Sequence, residues 1–147
     1  MNKRAFKSYF SKTREDLKNK CIYYKRDSKA SVLISDSFSI VELFEDNLEL
    51  DKMDEKLGNS IIGLFEGFES LQVKEGLDLD INTKEEHVNI NDRFSINIEA
   101  LKKIYNIIKF DKIEIVESVA NWDITPIIRI ENTKTKNKGY LLPERRY

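Results

Sequence analysis

Residues 97–116, NIEALKKIYNIIKFDKIEIV, decide the fold class. Ile98, Leu101, Ile104, Tyr105 and Ile108 recur at three- and four-residue spacing, which predicts an amphipathic helix over 98–109. Asn97 suits its N-cap, and Glu99 suits the positive N-terminal end of the helix dipole. Lys102, Lys103, Asn106 and Lys109 fall on the side away from the apolar stripe. After Phe110 and Asp111 the pattern changes to a strand, Lys112 to Val116.

Downstream, Pro126 to Glu131 (PIIRIE) predicts a second strand, 133–139 a basic turn, and Tyr140-Leu141-Leu142 a last short strand. Upstream, LDLDI at 77–81 and HVNIN at 87–91 both alternate, which suggests a hairpin across residues 82–85. Ile61, Leu64, Phe65, Phe68 and Leu71 predict a helix within 59–72, capped by Asn59 or Ser60. Gly63 and Gly67 oppose it by about 1 kcal/mol each relative to alanine. The acidic stretch 45–57 reads as a loop or a short strand with a turn. Residues 21–44 read as a meander of two or three antiparallel strands, broken at 26–29 and 35–37. Phe6, Tyr9, Phe10, Thr13 and Leu17 give a second amphipathic helix over 4–19, with Arg4, Lys7, Arg14 and Lys18 on its other side. The order predicts one α+β domain spanning 1–147, with a mainly antiparallel sheet and two or three helices. The two basic helices are expected on one face of the sheet.

The chain has 147 residues, a length typical of one domain and sufficient for a core without disulfides or metal. Its net charge is -1, but the charge is segregated. Residues 1–30 hold 10 Lys and Arg against 3 Asp and Glu; residues 31–100 hold 5 against 17; residues 101–147 hold 10 against 6. Such segregation creates surface fields even near neutrality. No run approaches ~18 apolar residues, so no membrane span is expected. The basic N-terminus lacks an apolar core and does not read as a secretory signal. One cysteine, Cys21, cannot form an internal disulfide and fits a reducing compartment, so a cytoplasmic location is expected.

Catalytic signals are weak. The single histidine, His87, lies in an alternating stretch, and Cys21 has no Cys or His near it in sequence. One Cys and one His cannot supply a usual structural zinc site. Gly58, Gly63 and Gly67 match neither the P-loop nor the dinucleotide pattern. No enzymatic activity, cofactor or metal is expected.

The C-terminal third resembles the last part of a bacterial DNA polymerase sliding clamp. The matching pieces are Ile96-Asn97, the helix Glu99–Ile108, the strand Lys112–Val116, Pro126-Ile127-Ile128-Arg129-Ile130, and Tyr140-Leu141-Leu142-Pro143-Glu144-Arg145. Val32 to Phe38 is similar to a clamp strand and turn, without the usual glycine. The resemblance implies that two basic helices line a hole and meet duplex DNA. Arg4, Lys7, Arg14, Lys18, Lys102, Lys103 and Lys109 would be the DNA-binding residues. It also implies that Leu141, Leu142, Pro143 and Arg145 help form an apolar groove for a protein partner. A bacterial clamp subunit has three domains and this chain has room for one, so a ring would need several copies.

The expected function is therefore that of a non-catalytic, sliding-clamp-like DNA-associated accessory protein, with duplex DNA, a protein partner and further copies of itself as partners. The alternative is a protein-interaction module, of inhibitor or immunity type, using the acidic region 42–86.

Overall fold

The structure, a computed structural model, describes residues 2–26, 29–45, 48–118 and 125–146. Helix α1 (Lys3–Tyr9) leads into a meander of β1 (Lys20–Arg26), β2 (Lys29–Ser35) and β3 (Ser39–Leu43). A short β4 (Asp51–Lys52) precedes α2 (Glu55–Glu69) and β5 (Gln72–Gly76). Next come β6 (His87–Asn89) and β7 (Phe94–Asn97), and β7 runs directly into α3 (Ile98–Ile108). A second meander follows: β8 (Lys112–Glu117), β9 (Ile127–Glu131) and β10 (Lys138–Leu141). The last element is β11 (Glu144–Arg145).

Eight strands form one sheet in the order β4-β1-β2-β3-β10-β9-β8-β5, antiparallel except for the β1–β4 pair. Its centre is the pairing of β3 with β10, where Gly139 faces Val41. The two halves mirror each other in connectivity, since α1-β1-β2-β3 on one side corresponds to α3-β8-β9-β10 on the other. A separate three-stranded sheet, β11-β7-β6, carries the N-terminal end of α3.

Strand alternation sends side chains to two cores. Ile34, Val41, Ile115, Ile128, Ile130 and Leu141 pack with Phe6, Tyr9, Phe10, Leu101, Ile104 and Ile108 of the α1/α3 layer. Ile22, Leu33, Ile40, Val116, Ile127 and Tyr140 pack with Ile61 and Phe65 of α2. α1 and α3 thus share one face of the sheet, while α2 covers the opposite face. Gly139 belongs to the crowded first layer. A Cβ there would lie 3.1 Å from Val41 Cγ2 and 3.2 Å from the Ile40 carbonyl.

Several local expectations change. The N-terminal helix stops at Tyr9, and residues 10–19 form successive turns. Ser11 Oγ donates to the Ser8 carbonyl at 2.8 Å, competing with helical continuation. The second helix begins at Glu55, capped by Asp54 and not by Asn59 or Ser60. Residues 77–81 form no strand; Leu77, Leu79 and Ile81 lie half-buried against the first core. The hairpin instead joins β6 to β7, because Asn91 Oδ1 accepts from the amides of Arg93 and Phe94 at 2.8 and 2.9 Å. Of the turn expected at 26–29, residues 27 and 28 lie outside the described ones. Among the described residues, no helix is long and apolar enough to cross a membrane.

Candidate nucleic-acid interface and docking cleft

α1 forms because Asn2 Oδ1 accepts the Ala5 amide at 3.1 Å, while Ala5, Phe6 and Tyr9 are buried beneath it. Its first turn holds no acidic residue, so Lys3, Arg4 and Lys7 lie exposed on its outer side. In α3, Asn97 Oδ1 accepts the Ala100 amide at 3.0 Å, and Ile98, Leu101, Ile104 and Ile108 turn inward. The helix ends at Lys109, which is left-handed at φ 48 and donates its amide to the Tyr105 carbonyl. Asn132 Nδ2 satisfies the carbonyls of Ile108 and Lys109 at 2.9 and 3.1 Å. The Lys109 ammonium sits 4.9 Å from the Tyr105 ring centre.

The two helices pack against each other, and Lys103 Nζ reaches Ser11 Oγ beyond the end of α1 at 3.5 Å. Arg4 and Ser8 of α1 and Asn106 of α3 border a shallow depression of about 350 Å3. Lys3, Lys7 and Lys18 border another, of about 450 Å3, with Phe6, Ser11 and Leu50. The face presented outward is therefore a pair of adjacent helices whose exposed ends are mostly ammonium, guanidinium and amide groups, with the Glu99 carboxylate on the first turn of α3 and Glu49 paired with Lys3 at 3.1 Å.

The seven basic residues singled out in the sequence do not form one set. Arg4 and Lys7 stand on α1, and Lys102 and Lys109 stand exposed on α3 or at its end. Arg14 and Lys18 are not helical. Lys18 returns beside Lys7, whereas Arg14 is held by the Asp16 carboxylate and borders a hollow on the α2 side. Lys103 is only 17% exposed and lies 3.9 Å from Glu99, at the edge of a cleft.

That cleft, of about 410 Å3, runs between α3, the β2–β3 turn and the C-terminal segment. Tyr9, Phe38, Ala100, Leu141, Leu142 and Pro143 supply its apolar lining. Leu141 is buried in the first core and offers only an edge to the cleft. Leu142 is exposed, Pro143 half-buried, and Arg145 exposed on β11 opposite Phe94. Leu142 and Phe38 are joined by a 2.8 Å backbone bond from the Leu142 amide to the Phe38 carbonyl. They also border a second hollow, of about 290 Å3, lined by Leu57, Ile61, Leu64 and Phe68. Sequence reasoning missed Phe38, because the 35–37 break reads as a simple turn. It also missed α2's Leu64, whose exposure depends on which side of the helix meets the sheet.

The turn that carries Phe38 is ordered by Asp36. Its Oδ1 accepts from the amides of Phe38 and Ser39 and from Ser39 Oγ at 2.8–3.0 Å. Burial nevertheless pushes its carboxyl above the usual aspartate range. Tyr9, whose hydroxyl lies 2.7 Å from Ser39 Oγ, has its phenol pushed well up by burial. Glu144 closes the other end of the cleft. Asn97 Nδ2 donates to it at 2.9 Å and His87 Nε2 lies 2.6 Å away. These contacts, the Asn97 bond first, hold its carboxyl below the usual glutamate range.

The acidic middle is divided between roles. Glu42 is buried and accepts from Ser31 Oγ at 2.8 Å. Glu69 binds Lys138 and Tyr140 on the sheet. Asp54 caps α2, and Glu49 pairs with Lys3 at 3.1 Å. Asp51, Glu55, Glu66, Asp78, Asp80, Glu85 and Glu86 remain exposed. Among the described residues, no group of three His, Cys, Asp or Glu side chains is placed to hold a metal ion. Burial raises the pKa of the Cys21 thiol, away from the reactive thiolate. Comparisons with protein-family models, curated proteins and solved structures gave no match.

Proposed function

We propose that this chain is a non-catalytic, sliding-clamp-like DNA-associated accessory protein. In this reading the α1/α3 layer meets the phosphate backbone of duplex DNA, and the C-terminal segment docks a protein partner. The observation that carries it is the side-by-side packing of α1 and α3 over one sheet face, with Arg4, Lys7, Lys102 and Lys109 outward. Ammonium and guanidinium groups so placed attract phosphates without reading base sequence. The repeated helix-then-meander connectivity adds support, since it sets two equivalent helices beside each other. Leu142, Pro143 and Arg145 are the candidate partner contacts on the C-terminal segment. This domain could encircle a duplex only in a ring with other such domains.

The test is fluorescence anisotropy with unrelated duplexes over a salt series, alongside light scattering for mass. The reading expects similar affinity for each duplex and a steep fall with salt. A strict monomer with no salt-sensitive duplex affinity would defeat it. If a basic partner from the host were lost on neutralising Asp51, Asp54 and Glu55, an acidic interaction module would be favoured instead.

A further inference from the structure

The seam between α1 and α3 holds a depression of about 350 Å3, bordered by Asn2, Arg4, Ala5, Ser8 and Asn106. No carboxylate is among these described residues, whereas the 450 Å3 depression includes Glu49 and the 410 Å3 cleft includes Asp36, Glu99 and Glu144. The donors at the seam are unengaged. Among the described residues, the Arg4 guanidinium, the Ser8 hydroxyl and the Asn106 carboxamide have no hydrogen-bond or ion-pair partner. Asn2 accepts the Ala5 amide through Oδ1, which leaves its side-chain NH2 group over. Arg4 and Ser8 stand one turn apart on α1, and Asn106 comes from across the seam, so donors from two helices border one hollow. Helix propensity does not account for Ser8 and Asn106, since both residue types are poorer helix formers than alanine.

We infer that this hollow is a seat for one phosphodiester group. The phosphate oxygens accept from Ser8 Oγ, from the Asn106 and Asn2 carboxamides, and from the forked Arg4 guanidinium, which suits two oxygens at once. The charge count selects the ester. The lining brings one cation, which matches the single negative charge of a diester, while a phosphate monoester carries about −1.5 to −2 at neutral pH. Donors drawn from two packed helices fix where on the layer one phosphate rests, and phosphate contacts of that kind set register and orientation. The inference rests on the reading of the α1/α3 layer as a phosphate-facing surface. It adds which phosphate chemistry is taken there, and by which uncharged groups.

The paired change Ser8→Ala and Asn106→Ala tests it, because it alters no charge and raises helix propensity. With a short duplex in fluorescence anisotropy, the double variant is expected to lose at least tenfold in affinity. Its slope of log affinity against log salt should match the parent's, since no cation that displaces counterions is removed. Asn59→Ala, at an exposed position of α2 across the sheet, should leave affinity unchanged and controls for the loss of a carboxamide. Full duplex affinity in the double variant would overturn the seat and leave the DNA reading intact. If the parent protein binds no duplex, the DNA reading fails, and NMR titrations with dimethyl phosphate and inorganic phosphate decide the seat alone. Shifts of the Asn2 carboxamide that report tighter binding of dimethyl phosphate, and that vanish in the double variant, would uphold it. No shift at tens of millimolar, or inorganic phosphate bound as tightly or more so, would overturn it.

Discussion

The hydroxyl of Tyr140, on β10 at the centre of the sheet, donates to Glu69 at the end of α2 over 2.7 Å. The same carboxylate takes the Lys138 ammonium at 2.6 Å, so two β10 side chains converge on one residue of the covering helix. Tyr140 stacks edge-on to Phe65 with ring centres 5.6 Å apart. Tyr140→Phe keeps that packing and removes the hydroxyl, with its bond to Glu69 and its contact with the Arg129 guanidinium. A loss of about 1.5–3 kcal/mol is expected in urea unfolding, with duplex affinity unchanged. No change in midpoint would show that the Glu69–Lys138 contact alone holds α2.

Two glycines of α2 should respond to alanine in opposite directions. At Gly58 a Cβ would fall 2.5 Å from Ile22 Cδ1 and 2.7 Å from Cγ1, so Gly58→Ala forces helix and sheet apart. A cost of about 1–3 kcal/mol is expected from such overpacking. At Gly63 nothing lies within 4 Å, and Gly63→Ala should gain up to about 1 kcal/mol of helix propensity. Thermal melts of the pair check the sign directly.

Ser37 holds a positive φ of 82 in the turn that carries Phe38. A side chain there carries a penalty of about 1–2 kcal/mol that glycine avoids. Ser37→Gly should therefore stabilise the fold by somewhat less than that, because the unfolded chain also gains freedom. A destabilised variant would mean that Ser37 makes a compensating contact.

Asp111 links the exit of α3 to the 132–137 turn by accepting from the Thr133 hydroxyl and amide, and these bonds hold its carboxyl below the usual aspartate range. A lowered folded-state pKa means that the unfolded chain takes up the proton first. The stabilisation is then complete above the unfolded value and disappears as pH falls through the folded one. Thr133→Val should flatten the acid limb of stability below the ordinary aspartate range and leave its alkaline side untouched. An unchanged acid limb in a pH series of urea melts would contradict this.

Replacing Lys102 and Lys109 together should lower duplex affinity alike for unrelated sequences. It should also reduce the slope of log affinity against log salt by about two, close to one per lost phosphate contact. Lys103→Ala should change that slope less, because its ammonium is turned toward Ser11 and Glu99.

Periodicity carries much of the fold. The stripe Ile98, Leu101, Ile104 and Ile108 and the run Lys112–Val116 recur as α3 and β8 almost residue for residue. The failures have local causes. Phe6, Tyr9 and Phe10 keep helical spacing with Thr13 and Leu17, yet the Ser11 hydroxyl and the turn geometry end α1, and Leu17 goes to the opposite core. Leu77, Leu79 and Ile81 alternate, but alternation states only that one side is apolar, and among the described residues the pairing with β8 ends at the bond from the Leu77 amide to the Ile113 carbonyl. The cleft was half legible. Leu142 and Pro143 stand out as a motif, whereas Phe38 reaches it through the pairing of β3 with β10, and Lys12 and Thr13 through the turns that follow α1.

That central pairing also governs how the chain comes to be folded. The strands that meet there, with Val41 opposite Gly139, are separated by about a hundred residues, a long-range closure of the kind that slows folding. As the polypeptide leaves the ribosome, the N-terminal meander presents β3 as an open edge until β10 has been made. During that interval the strand is an aggregation hazard, and its buried apolar residues Ile40, Val41 and Leu43 are uncovered. Truncation that removes β10 should therefore be punished in yield of soluble protein far more than the loss of as many residues of surface loop.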